Sequence, residues 1–145
     1  MKETRILAVD LGAKRIGVAL SDPLGLTAQP RPRIDCVGPR KDVRAIVALA
    51  EASDATEIVV GLPLQLDGTR GEAAENALAF AERLREAVGV EVPVTMWDER
   101  LTTAQAERVM IEGGARRSRR REKIDSLAAV LILQNVLDAR SGPAS

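Results

Sequence analysis

The stretch Arg5-Ile6-Leu7-Ala8-Val9-Asp10-Leu11-Gly12-Ala13-Lys14-Arg15-Ile16-Gly17-Val18-Ala19-Leu20-Ser21 decides how the chain folds. Arg5–Asp10 is a compact apolar run that ends in a carboxylate, which reads as a strand. Arg15–Ser21 is a second β-rich stretch. Leu11–Lys14, with Gly12, is short enough to join the two as a hairpin.

Working outward, Arg33–Val37 reads as a third, weaker strand. Asp42–Ala52 reads as a helix, with Val43, Ile46, Val47, Leu49 and Ala50 as its apolar side. Glu57–Gly61 is a buried-looking strand. Thr69–Val88 is a long Ala-rich helix in which Ala73, Ala77, Phe80, Ala81, Leu84 and Val88 recur at spacings of three and four, and Gly89 stops it. Val92–Trp97 is another strand. Thr102 and Gln105 have capping-box spacing for a helix to about Glu112, ended by Gly113-Gly114. A basic segment follows as an exposed loop or helix entry, and Ile124–Leu137 closes the chain as an apolar helix. The order βββ-α-β-α-β-α-α predicts an α/β fold: a mixed five-stranded sheet with helices on both faces. No repeat or linker divides the chain, so residues 1–140 read as one domain and 141–145 as a short flexible tail.

Composition narrows the chemistry. Hydrophobic residues make up 46% and charged residues 29% of the 145, which suits a globular domain with its own core. With one Phe, one Trp and no Tyr, that core is aliphatic, and modules that stack bases on exposed rings are disfavoured. There is no histidine, which excludes Ser-His-Asp and Cys-His catalysis and His-ligated zinc. The single cysteine, Cys36, excludes an internal disulfide and a multi-cysteine zinc site and reads as a small buried residue. The N-terminal apolar run is too short for a secretory leader or a membrane span, so the expected location is the cytoplasm, with no membrane partner. Formal net charge is zero, yet Arg116–Lys123 alone carries +5 and the remainder −5. A local polyanion-binding surface is expected there, built on Arg116, Arg117, Arg119, Arg120 and Arg121.

Three acidic positions stand out. Asp10 ends an apolar strand, where ligands of α/β sheets gather, although it also reads as a turn residue. Asp98 and Glu99 follow another strand, with Arg100 beside them. Alternation along a strand lets one of the pair face the same site as Asp10. Asp125 opens the last helix just after the arginines, and an acid there also suits a first helical turn. Separated carboxylates without histidine suit a hard cation, Mg²⁺ or Mn²⁺. Two such ions about 4 Å apart can activate water and stabilise the leaving oxygen in phosphodiester hydrolysis. Gly12 and Gly17 flank Lys14-Arg15, a pair that can meet a phosphate or simply sit in solvent at a hairpin tip. Gly61-Leu62-Pro63-Leu64-Gln65-Leu66-Asp67-Gly68 reads as a substrate-facing lip or a packed connection.

Four ordered motifs carry a resemblance. They are Ala8-Val9-Asp10-Leu11-Gly12 with Arg15-Ile16-Gly17-Val18-Ala19; Val60-Gly61-Leu62-Pro63-Leu64 with Asp67-Gly68; Asp98-Glu99-Arg100-Leu101-Thr102-Thr103; and Ile124-Asp125-Ser126-Leu127-Ala128-Ala129 with Ile132-Leu133-Gln134. Together they resemble the YqgF family, also called RuvX, described as Holliday junction resolvases and later assigned as pre-16S ribosomal RNA nucleases. The resemblance implies a ribonuclease H-like fold similar to the RuvC resolvases. It also implies divalent metal held by Asp10, Glu99 and Asp125, with Glu99 favoured over Asp98. The implied activity is endonucleolytic, on pre-ribosomal RNA or on branched DNA. Gln65 departs from the Asn expected in that loop. Two rivals stay open on the residues alone. One is an actin-like or sugar-kinase ATPase domain, whose phosphate hairpin the first motif resembles, although this chain has length for only one of the two domains. The other is a nucleic-acid binder whose acids are only caps and turns.

Overall fold

The computed structural model describes residues 4–65, 67–99 and 117–141, of which 117–126 and 141 are described by their backbone alone. The expected helix at 102–112, together with Leu66, Arg100 and Arg116, lies outside the described residues.

Five strands form one mixed sheet: β1 (Ile6–Leu11), β2 (Arg15–Ser21), β3 (Ala28–Asp35), β4 (Glu57–Leu62) and β5 (Val94–Asp98). Their order across the sheet is β3-β2-β1-β4-β5. β2 is antiparallel to both β1 and β3, while β4 runs parallel to β1 and β5 to β4. The central strand β1 buries Ile6, Leu7, Ala8 and Val9 completely, as a strand covered on both faces must.

Alternation along each strand divides the core in two. Leu7, Val9, Ile16, Val18, Leu20, Ile58, Val60 and Val94 face helices α1 (Pro39–Ala52) and α2 (Glu72–Val88). Ile6, Ala8, Ala19 and Val59 face helix α3 (Arg117–Ser141), which supplies Ala129, Ile132, Leu133, Val136 and Leu137. The expected sheet with helices on both faces is what forms.

The element ends differ from the sequence reading for local reasons. β3 begins at Ala28, well before Arg33, and runs through Pro30 and Pro32. Prolines depress strand propensity in a sequence reading, but on an outer strand the missing N–H faces away from the ladder. α1 starts at Pro39, whose fixed φ suits a first helical turn. α2 starts at Glu72, not Thr69, because Thr69 is engaged in the preceding loop, where its N–H and its hydroxyl both donate to Asp67 Oδ1. Gly89 ends α2 with φ 79°, as expected of a helix stop.

The largest correction concerns α3. It begins at Arg117 and ends at Ser141, so the basic residues Arg117–Lys123 are helical and Asp125 is the ninth residue of the helix. No acid stands in its first turn, so Asp125 cannot serve as a cap or a dipole partner there. The direction of α3 is fixed at its far end. Arg140 forms a two-pronged ion pair with Glu57, Nη1–Oε1 2.6 Å and Nη2–Oε2 2.8 Å, at the start of β4. Gln134 accepts from Ala28 N–H and donates to Leu26 C=O, docking the β2–β3 hairpin. The N-terminal half of α3 therefore lies toward the ends at which β1, β4 and β5 finish.

Candidate active site

Asp10 is the fifth residue of β1 and points, by alternation with Ile6 and Ala8, to the α3 face. Its neighbour across β2 is Gly17. On the other side it stands one residue past the Val9–Val60 pair, level with Gly61 of β4, and Gly61 in turn pairs with Trp97 of β5. Asp10 thus sits in a cross-strand row flanked by two residues without side chains.

Glu99 fills the space above Gly61. Its N–H donates to Leu62 C=O at 3.0 Å, which extends the β5 pairing by one residue. A Cβ placed on Gly61 would lie 2.9 Å from Glu99 Cγ and Cδ and 2.8 Å from Ile132 Cδ1. Only glycine lets Glu99 cross β4 and reach the Asp10 carboxyl, with which it hydrogen-bonds. Asp98 pairs with Leu62, in step with Val60 and Met96, and so belongs to the opposite face. Of the two adjacent acids, the pleat brings Glu99 to Asp10 and sends Asp98 away.

The electrostatics of this pair are tense. Burial, the hydrogen bond and charge of Asp10, and the charge of Asp98 together push the Glu99 carboxyl up to about 9 from its ordinary 4.5. Two carboxyls in contact at a half-buried site cannot both ionise without a counter-charge. In the absence of a cation, a proton held at Glu99 does that work. A hard divalent ion, which takes oxygen ligands, fits the same donors. Among the described residues no group of three potential ligand side chains gathers. The backbone of Asp125 lies four residues before Ala129 and seven before Ile132, on the helical stripe those two residues bury against the sheet. Ile132 already touches the Gly61 position, so that stripe leads toward Asp10 and Glu99.

The other expected contact residues are placed less centrally. Lys14 and Arg15 are exposed at the β1–β2 turn, and Arg15 Nε pairs with Asp35 Oδ1 at 3.4 Å. Gly12 serves the turn: its N–H donates to Arg15 C=O at 2.9 Å, and a Cβ there would come within 2.6 Å of that oxygen. The loop after β4 is largely self-bonded. Gln65 N–H donates to Thr69 C=O, and Gln65 Oε1 accepts from the Thr69 hydroxyl. Gln65 thus has a structural task where the family pattern suggests Asn. Cys36 is only half-buried, against the expectation of a buried residue, and burial raises its thiol. The seat role of Gly61 is invisible to a motif reading, although an isolated glycine late in a strand is the usual signal of close approach.

The family model described as "RuvX: Holliday junction resolvase" matches residues 4–139. The chain belongs to the RuvX family. Among its curated relatives, a protein of Syntrophus aciditrophicus named "Putative pre-16S rRNA nuclease" is 49% identical over 94% of this chain and 90% of that one. A relative of the same name from Myxococcus xanthus is 45% identical over 96% and 91%. Among solved structures, RuvC of T. thermophilus in complex with a Holliday junction substrate superposes with TM-score 0.59 at 16% identity, over 98% of each chain. The Fowlpox virus resolvase bound to Holliday junction DNA gives 0.58 at 13%, over 95% and 99%. These likenesses establish for this RuvX member the ribonuclease H-like, RuvC-type fold that its motifs implied.

Proposed function

We propose that this RuvX chain is a divalent-metal-dependent endonuclease that hydrolyses phosphodiester bonds in precursor 16S ribosomal RNA. The observation that carries the reading is the contact of Asp10 with Glu99 over Gly61, a carboxyl pair that needs a counter-charge to ionise fully. Such a pair is costly to ionise, and a bound cation offsets that cost. The names of the curated relatives support the RNA substrate. The family description and the junction-bound neighbours of the same fold support a second reading, cleavage of four-way DNA.

Asp10, Glu99 and Asp125 are the residues that would hold Mg²⁺ or Mn²⁺, which when bound supplies an activated water and charge stabilisation at the scissile phosphate. Asp10 is fixed by the central strand, and Glu99 is set by its backbone bond to Leu62. The arginines 117, 119, 120 and 121, in the first turns of α3, deliver the phosphate backbone to that end of the sheet, with Arg116, Arg100, Lys14 and Arg15 as further substrate contacts. No helix among the described residues is long and apolar enough to cross a membrane, and the proposed working place is the cytoplasm, with nucleic acid as partner.

The test is a cleavage assay with end-labelled 16S precursor and four-way DNA junctions, each with Mg²⁺, Mn²⁺ or excess EDTA. Metal-dependent cutting of the precursor in preference to the junction is expected. Full cleavage in EDTA would exclude the metal role, and preference for the junction would establish the second reading.

A further inference from the structure

Helices α1 and α2 pack on the face of the sheet opposite to the acid pair, and a cleft of about 510 Å³ opens between them. α1 supplies Pro39, Arg40, Val43 and Arg44, and α2 supplies Arg83 and Ala87. Residues four apart share one side of a helix, so Arg40 and Arg44 line one wall together and Arg83 lines the other. All three arginines are exposed. Among the described residues no hydrogen bond or ion pair engages their guanidiniums, whereas Arg15, Arg85 and Arg140 each hold a carboxylate. The arrangement costs the fold free energy in two ways. Like charges one helical turn apart repel, as Arg40 and Arg44 do. Cations in a first turn also oppose the helix dipole, and α1 carries Arg40 and Lys41 there with no side-chain cap at Gly38. The acid of that turn, Asp42, gives the cleft no relief: it is buried, and its Oδ1 accepts from Val37 N–H at 3.0 Å. Among the described residues no carboxylate lines the cleft.

The topology joins this cleft to the site end of the sheet. β3 runs in the same direction as β1, since both are antiparallel to β2. α1 follows β3 closely, so its first turn, with Arg40, stands at the end of the sheet where Asp10 lies. Cys36 N–H donates to Lys14 C=O at 2.9 Å, which ties the connection between β3 and α1 to the exposed β1–β2 turn. A chain that leaves the acid pair over this end of the sheet meets Lys14 and then Arg40. We propose that the α1–α2 cleft binds the phosphate backbone of the RNA that flanks the cleavage site, through Arg40, Arg44 and Arg83. The assignment rests on the nuclease reading above. Guanidinium forks match phosphate oxygens with paired hydrogen bonds, and a polyanion with a charge at every link can meet three separated cations at once. Such contacts position a substrate without reading its bases.

The test is substrate length. In the Asp10→Asn background, which keeps RNA intact during titration, labelled single-stranded RNAs of about 6 and about 30 nucleotides are titrated at several salt concentrations. Replacing Arg40, Arg44 and Arg83 together by Ala should weaken binding of the long RNA at least tenfold and lower its slope of log affinity against log salt by about 2, near 0.7 for each phosphate contact. The short RNA, which cannot span both faces, should bind as before. Arg83→Ala alone should lower the long-RNA slope by about 0.7. Arg85→Ala, two residues along the same helix and already engaged by Glu82, should leave it unchanged. Replacing the three arginines by Lys should keep the slope, because the charges stay. Unchanged long-RNA slope in the three-alanine variant would overturn the assignment and leave an acidic protein as the occupant of the cleft. Equal losses for short and long RNA, or for Arg83→Ala and Arg85→Ala, would overturn it as well. A parent that cuts neither precursor nor junction would overturn the nuclease reading, whereas unchanged slopes beside metal-dependent cutting would overturn the cleft alone.

Discussion

The two faces of the sheet are built for different purposes. Toward α1 and α2 the sheet presents large side chains, and Ile46, Phe80 and Leu84 pack into them from the helices. That side closes on itself and buries no site carboxylate. Toward α3 the sheet presents Ala8, Ala19, Gly17 and Gly61 beside Ile6 and Val59, and the helix answers with Ala129, Ile132, Leu133, Val136 and Leu137. Small residues let the helix come close, and the same face holds Asp10 and Glu99. Both faces carry core, and the α3 face also carries the electrostatic strain of the acid pair.

The sharpest break is Asp10→Asn, nearly isosteric but without the charge that helps hold a cation. Cleavage should fall by about a thousandfold or more, with denaturant midpoint unchanged or raised. Parental cutting rates in that variant would remove Asp10 from the site. On the other face, Leu84→Ala should cost about 2–5 kcal/mol in urea unfolding and leave Mn²⁺ affinity as it was, since Leu84 is fully buried away from the acids. A loss of metal affinity in Leu84→Ala would show that the two faces are not independent.

Glu99 tests the strain itself. Its folded-state carboxyl is raised to about 9, above its ordinary 4.5, so the folded protein keeps a proton that the unfolded chain releases. Its contribution is therefore fully present below the ordinary value and declines as pH rises through the window from 4.5 to about 9. Metal-free protein should lose stability across that window, by up to about 3 kcal/mol at pH 7. Glu99→Gln should flatten the profile and abolish cleavage; denaturant midpoints at pH 5, 7 and 9 in EDTA measure it. An unchanged slope in the Gln variant would place the pH dependence elsewhere. Added Mn²⁺ should reverse the parental trend, because the ion replaces the proton.

Gly61→Ala tests the seat. The new methyl meets the ends of the Ile132 and Glu99 side chains, which give way, so folding should survive while Glu99 is displaced from Asp10. Cleavage should fall about 10- to 100-fold, and Gly61→Ala should also lower Mn²⁺ affinity in calorimetry. The smallest effect is expected at the opposite pole. Arg140→Ala frees Glu57, whose carboxyl is held low by the Arg140 hydrogen bond and by Thr95. The pair stabilises above the ordinary carboxylate range and is lost as pH falls through the lowered value. Its loss should cost under about 1 kcal/mol near neutrality and leave cleavage unchanged, as thermal melts and the same assay would register.

The sequence by itself determined the strand pair around Asp10, the alternation of helix and strand, the exclusion of histidine-dependent chemistry and of an internal disulfide, and the family. Those follow from residue type and short-range spacing, which act within one element. What it left open was settled by pairing between elements. Asp98 and Glu99 are equivalent acids until the pleat of β5 and its register with β4 put one on each face. Asp125 reads as a cap until α3 is seen to start at Arg117, because the helix is extended by residues whose charge makes them look like loop. β3 reads as short until its prolines are found on an outer strand, and the extra residue it carries opposite Gly17 exists only in the match of β3 to β2. Gly61 is a strand glycine in the sequence and a seat for Glu99 in the fold, because close approach is a property of two segments and is written in neither.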